Sequence, residues 1–118
     1  MSSPHTLTAI LASSNLDAST TFYARLGFTV HADYPPNYRI LSDGRGAELH
    51  LTSMEKDWLK PERNPFGVYF YTEDVDELAA EFGRSVIHPP QNKPWGMYEF
   101  AVSDPDGTLI RVGKPTKK

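Results

Sequence analysis

The chain has 118 residues, 39% of them hydrophobic, and 15 acidic against 12 basic side chains give a formal net charge of −3. This length fits one domain with a core of its own, no basic stripe points to nucleic acid, and no apolar run approaches the roughly 20 residues of a membrane span. Cysteine is absent, which excludes disulfides, zinc–thiolate sites and a cysteine nucleophile. The first ten residues lack the basic start and apolar stretch of a signal peptide, so a cytoplasmic protein is expected.

Thr6 to Ser13 mixes β-branched and aliphatic residues and reads as a strand. Asn15 is placed to cap a helix whose apolar stripe is Ala18, Phe22 and Leu26, and Gly27 is placed to end it in a left-handed turn. Phe28 to His31 is the second strand and Tyr38 to Leu41, after Pro35 and Pro36, the third. Asp43 to Gly46 is a turn. Ala47 to Thr52 alternates, with Leu49 and Leu51 on one face and Glu48 and His50 on the other.

Residues 55–65 are polar, hold two prolines and read as a linker. Phe66 to Thr72 is an aromatic-rich strand, with Phe66, Val68 and Phe70 toward a core and Tyr69 opposite. Asp74 and Glu77 have capping-box spacing before a helix carried by Val75, Leu78, Ala79 and Phe82, and Gly83 stops it. Val86 to His88, Met97 to Ser103 and Thr108 to Gly113 are the remaining strands, with residues 113–118 a solvated end.

Strand, helix and three strands thus occur twice. The expected architecture is α+β: one domain over 1–118, with a βαβββ module over about 6–54, the linker, and a second over about 66–113. A period of about 60 residues is too long for a solenoid unit. Two copies predict cupped mixed sheets, each covered by its helix on one face and bordering a cavity with the other. By parity the cavity face carries Glu48, His50, Tyr69 and Arg111, and also Glu99 if Phe100 faces the core.

Three stretches carry a family likeness: Asn15-Leu-Asp with Phe22-Tyr-Ala-Arg-Leu-Gly-Phe28, Glu73-Asp-Val-Asp-Glu-Leu78, and Pro94-Trp-Gly with Glu99-Phe-Ala-Val and Asp104-Pro-Asp-Gly107 leading to Leu109-Ile-Arg111. Together they resemble the glyoxalase/bleomycin resistance protein/dioxygenase group, the vicinal oxygen chelate superfamily, from about Leu7 to Gly113. The resemblance implies paired βαβββ modules around a cavity, often completed by a second chain. It places the metal-ligand positions of the metal-dependent members on Thr8, Glu48, Gly67 and Arg111. Only Glu48 is a plausible ligand there, and Arg111 is a cation with no lone pair to offer. No metal and no cofactor are therefore expected.

The likeness is nearest to the bleomycin resistance proteins, which imply sequestration of an antibiotic in a cleft of a homodimer. The expected function is metal-free binding of a cationic aromatic small molecule, with no catalytic residue. The alternative is a metal-dependent glyoxalase-type lyase or isomerase, or a thiol transferase. Candidate ligand-binding residues are Trp95, Tyr38, Glu48, His50, Tyr69, Glu99 and Arg111. Trp95 sits in a turn shaped by Pro94 and Gly96. Tyr34 is the rival of Tyr38, and Trp58 either forms a mouth or covers a sheet edge. Arg111 either pairs with Glu48 in the former metal position or meets a ligand. Glu48, His50 and Glu99 are the weak possibility for a rebuilt metal site, whereas His5, His31 and His88 are expected at the surface.

Overall fold

The computed structural model describes residues 5–116. The elements run β1 (Ala9–Ser13), α1 (Leu16–Ala24), β2 (Thr29–Tyr34), β3 (Tyr38–Ser42) and β4 (Glu48–Ser53). Short 3-10 turns follow at Lys56–Trp58 and Pro61–Arg63, then β5 (Gly67–Tyr71), α2 (Val75–Phe82), β6 (His88–Asn92), β7 (Met97–Ser103) and β8 (Leu109–Pro115). One sheet is ordered β1-β4-β3-β2 and the other β5-β8-β7-β6. In each, the first strand runs parallel to the last of its module and the other pairings are antiparallel. The duplicated α+β architecture expected from the sequence is present.

Register sorts the side chains into two faces. Ala9, Leu49 and Leu41 align toward the helices, and Ile10, His50 and Ile40 align on the other face. In the second sheet, Phe70, Val112 and Phe100 face the helices, while Tyr69, Arg111 and Ala101 align opposite, as do Tyr71, Gly113 and Glu99. The helices share one core: Phe22 lies 5.5 Å from Phe82 and Phe28 lies 5.3 Å from Phe70, centroid to centroid. The molecule measures 46 × 44 × 23 Å. A thickness of 23 Å accommodates a sheet and a helix layer, each about 10 Å deep. It does not accommodate two sheets facing each other across a ligand.

The Asp-Pro-Asp-Gly turn ties the modules together. Tyr23 of α1 donates to Asp104 Oδ2 at 2.6 Å. Asp104 Oδ1 also accepts from the amides of Asp106 and Thr108, both at 2.9 Å. Asp106 accepts from the Ser14 amide at 3.1 Å and the Ser14 hydroxyl at 2.6 Å. Both carboxylates are buried. Gly107 has φ +86°, and a Cβ there would collide with Pro61 O and come 2.6 Å from Pro61 Cα, so the turn also packs against the linker.

Several expectations are corrected. In α1 the buried face is Ser19, Phe22 and Tyr23, whereas Ala18 is exposed; Ser19 points inward because its hydroxyl bonds Ser13 at 2.7 Å. Asn15 does cap, accepting from the Ala18 amide at 3.0 Å. Asp74 does not: its φ of −90° and ψ of 39° lie outside the extended region a cap adopts, and its carboxylate pairs with Arg45 at 3.1 Å. Phe66 precedes β5 and is 72% exposed rather than in the core. Strand β6 begins at His88 and includes both prolines, tolerated at a sheet edge where the register breaks between His88 and Gln91. Strand β8 extends through Pro115, so only the last residues of the expected solvated end, 117–118, lie outside the described part.

Candidate functional site

Two polar clusters form on the sheet faces turned away from the helices. On the first sheet, Tyr38 Oη lies 2.7 Å from His50 Nδ1, and His50 Nε2 lies 3.1 Å from Glu48 Oε2. A carboxylate only accepts, so Nε2 carries a proton, and in the neutral ring Nδ1 then accepts from the phenol. Tyr38 is thus held through β3–β4 pairing and a hydrogen-bonded chain. Ile10, 60% exposed, lies beside this chain on β1. Tyr34 is exposed on β2, opposite Tyr38 in the ladder.

On the second sheet the centre is Glu99, which is 0% exposed. Its Oε1 accepts from Tyr69 Oη at 2.7 Å and from the Trp95 indole N–H at 3.1 Å. Its Oε2 has no hydrogen-bond partner, with Arg111 Nη1 standing off at 3.8 Å. The Arg111 guanidinium lies 5.3 Å over the Trp95 ring, and Lys93 Nζ lies 5.5 Å from it. Burial, then the bond to Glu99, push the Tyr69 phenol well above its ordinary range, so it stays a donor at all physiological pH. Trp95 remains 53% exposed above the cluster. Tyr69 and Tyr71 pack with centroids 4.7 Å apart.

Gly113 explains how Tyr69 reaches Glu99. A Cβ at this position would collide with Tyr69 Oη and come 2.7 Å from Glu99 Cβ. Without a Cβ there, the phenol oxygen can cross the strand to Glu99. Gly113 is not among the candidates named from the sequence; the signal that points to it is a glycine inside a strand, which marks close approach of another group.

Of the two alternatives for Arg111, the pair with Glu48 does not form within the chain. Arg111 faces Glu99 on its own sheet, while Glu48 is engaged by His50. Glu99 does lie on the face opposite Phe100, but Trp95, Tyr69 and Arg111 cover it. The three groups of the weak metal possibility are divided between these clusters, Glu48 with His50 and Glu99 with Tyr69 and Trp95. Glu48 and Tyr69 nonetheless share the lining of a cavity of about 160 Å³, so the sheets adjoin there. The positions onto which the resemblance places the metal ligands do not fit one. Thr8 and Gly67 bring no charged donor, Arg111 brings a cation, and a side chain at Gly67 would press on Leu109 O at 3.0 Å.

A further cavity of about 430 Å³ lies under the linker, lined by Ile10, Met54, Trp58, Leu59 and Phe66 with Arg63 at the side. Trp58 is 77% exposed, so it stands at this opening rather than sealing the sheet edge.

The sequence profile of the Glyoxalase/Bleomycin resistance protein/Dioxygenase superfamily matches residues 3–112. The chain belongs to that superfamily. Within it, a bleomycin resistance protein of Klebsiella pneumoniae is 30% identical over 112 residues, 86% of each chain. The crystal structure of a bleomycin-binding protein complexed with bleomycin superposes with a TM-score of 0.80 at 26% identity, covering 94% of this chain and 98% of that one. A bleomycin resistance determinant encoded on the transposon Tn5 gives 0.81 at 26% identity, covering 95% and 98%. These likenesses place antibiotic binding at the level of the superfamily's resistance proteins. No described helix is long and apolar enough to cross a membrane.

Proposed function

We propose that this chain sequesters a cationic aromatic antibiotic of the bleomycin kind, without metal and without chemistry, in a cleft between two copies. The observation that carries this reading is the second-sheet cluster: a half-exposed indole pinned to a buried carboxylate, beside two packed tyrosines. Aromatic faces attract flat ligand parts, each pair contributing about 0.5–1.5 kcal/mol beyond area burial. Tyr38, Glu48 and His50 on the first sheet would supply polar contacts. The net charge of −3 gives modest attraction for a cation.

The shape supports a second copy. Both cluster-bearing faces are left uncovered by a chain 23 Å thick. Ile10, Trp58 and Phe66 are exposed around one apolar cavity. Covering such side chains is the usual role of an interface core. A partner would close the cleft over Trp95.

Titration of Trp58→Phe protein with metal-free and copper-loaded bleomycin, followed by Trp95 fluorescence, tests the ligand. Light scattering tests the dimer. A saturable change from a dimeric protein is expected; no change at high micromolar bleomycin overturns the antibiotic assignment. Stoichiometric nickel, zinc, iron or manganese in purified protein, lost in Glu48→Ala, would favour the enzymatic alternative instead.

A further inference from the structure

We infer that Arg111 is a built-in occupant of a planar-cation subsite, and that a ligand bearing an amidinium- or guanidinium-like group takes its place. This deepens the cleft reading and rests on it, since the subsite is the floor beside Trp95. Three observations converge. The guanidinium carbon lies 5.3 Å over the ring of an indole that is itself fixed by its N–H bond to Glu99. The carboxylate oxygen facing it, Glu99 Oε2, is buried and has no hydrogen-bond partner. The guanidinium stops 3.8 Å from that oxygen, beyond hydrogen-bond reach, and is half-exposed.

A fixed aromatic face and a buried acceptor are the two features that a flat N–H cation requires. Arg111 satisfies the first and only partly the second. Its backbone is set by pairing of β8 with both β5 and β7, Tyr69 and Ala101 being its register partners. A free ligand has no such tether and can close on Oε2 at about 2.8 Å, the length of a charge-assisted bond. Arg111 then swings toward solvent, where it is already half-exposed. Until that happens it is the cation nearest a buried carboxylate whose hydrogen bonds, from Tyr69 and Trp95, both fall on Oε1.

The probes are benzamidinium, a planar aryl cation, and benzamide, its neutral isostere, each titrated against Trp58→Phe protein by Trp95 fluorescence. Arg111→Met keeps the aliphatic stem and removes the competitor. It should bind benzamidinium roughly three- to tenfold more tightly, the scale of a half-exposed cation–π contact and a long ion pair, and benzamide unchanged. Adding Glu99→Gln should remove the gain. Unchanged or weaker benzamidinium binding in Arg111→Met overturns the inference, as does an equal gain for benzamide. If Arg111→Met does not fold, the wild-type protein decides. Benzamidinium should shift the Arg111 Nε–H resonance, and an unmoved resonance at saturation overturns the inference. Saturable bleomycin binding with no Arg111 effect sinks this inference alone; an Arg111 effect without bleomycin binding sinks the antibiotic assignment alone.

Discussion

Replacing Tyr23 with phenylalanine removes one oxygen and leaves the ring in the core. The ring packs edge-on to Phe22 at 5.0 Å and to Phe28 at 6.3 Å, so its packing survives. What is lost is the 2.6 Å bond to Asp104 Oδ2, in a carboxylate that is almost wholly buried. A hydrogen bond to a charged group contributes about 1.5–3 kcal/mol, or a fall of about 5–15 °C in melting temperature for a domain of this size. The pH dependence is the sharper signature. Burial holds the Asp104 carboxyl above its ordinary value, while the Tyr23 hydroxyl and the amides of Thr108 and Asp106 pull it back down. With a raised folded-state value, Asp104 favours the fold in acid and loses that contribution as pH rises through the folded value. Tyr23 offsets this loss by donating to the ionised form. In Tyr23→Phe the carboxyl rises further, so the defect is largest near pH 7 and shrinks toward pH 4. Urea denaturation at both values measures it. An equal defect at the two pH values, or a larger one in acid, refutes the reasoning.

Gly113→Ala should cost about 1–3 kcal/mol, the range for overpacking, because the new methyl collides with Tyr69 Oη and comes 2.9 Å from Tyr98 O; it should also change Trp95 fluorescence, read in a Trp58→Phe background, as Tyr69 and Glu99 shift. Asn15→Ala should lower stability by about 1 kcal/mol through loss of its bond to the Ala18 amide, seen as a drop in denaturation midpoint at unchanged slope. Trp95→Ala should weaken bleomycin binding by at least about 2- to 12-fold, the share of one aromatic pair beyond its buried area, and Trp95→Phe should recover most of it; isothermal titration checks both.

Much of the fold was legible because its signals are local. Alternation in Ala47 to Thr52 sets which side chains share a face, and Asn15 marks a helix start on its own. The cap at Asp74 misled because Arg45, distant in sequence, competes for the same carboxylate. Pro89 and Pro90 misled because whether a strand tolerates proline depends on its being at an edge, which one segment does not reveal. The site was half legible for the same reason. Parity located Glu99 and Arg111 on one face, but their meeting depends on Gly113 and on the bend of the Trp95 turn. That Glu99 lies beneath its neighbours is a property of three side chains packed together, and no spacing in the sequence encodes it.

The bonds from Tyr23 and Ser14 to Asp104 and Asp106 have a consequence for how copies can assemble. They join the two modules through two side-chain hydroxyls and one backbone amide, and they run through neither the linker backbone nor a shared strand. Two chains that traded modules would make the same bonds in trans that one chain makes in cis. Such an exchange is close to neutral in the clamp itself. The balance between a closed and a traded form would then lie with the linker, where Asn64 holds Asp106 O and Thr108 Oγ1 at 3.0 Å, and with protein concentration.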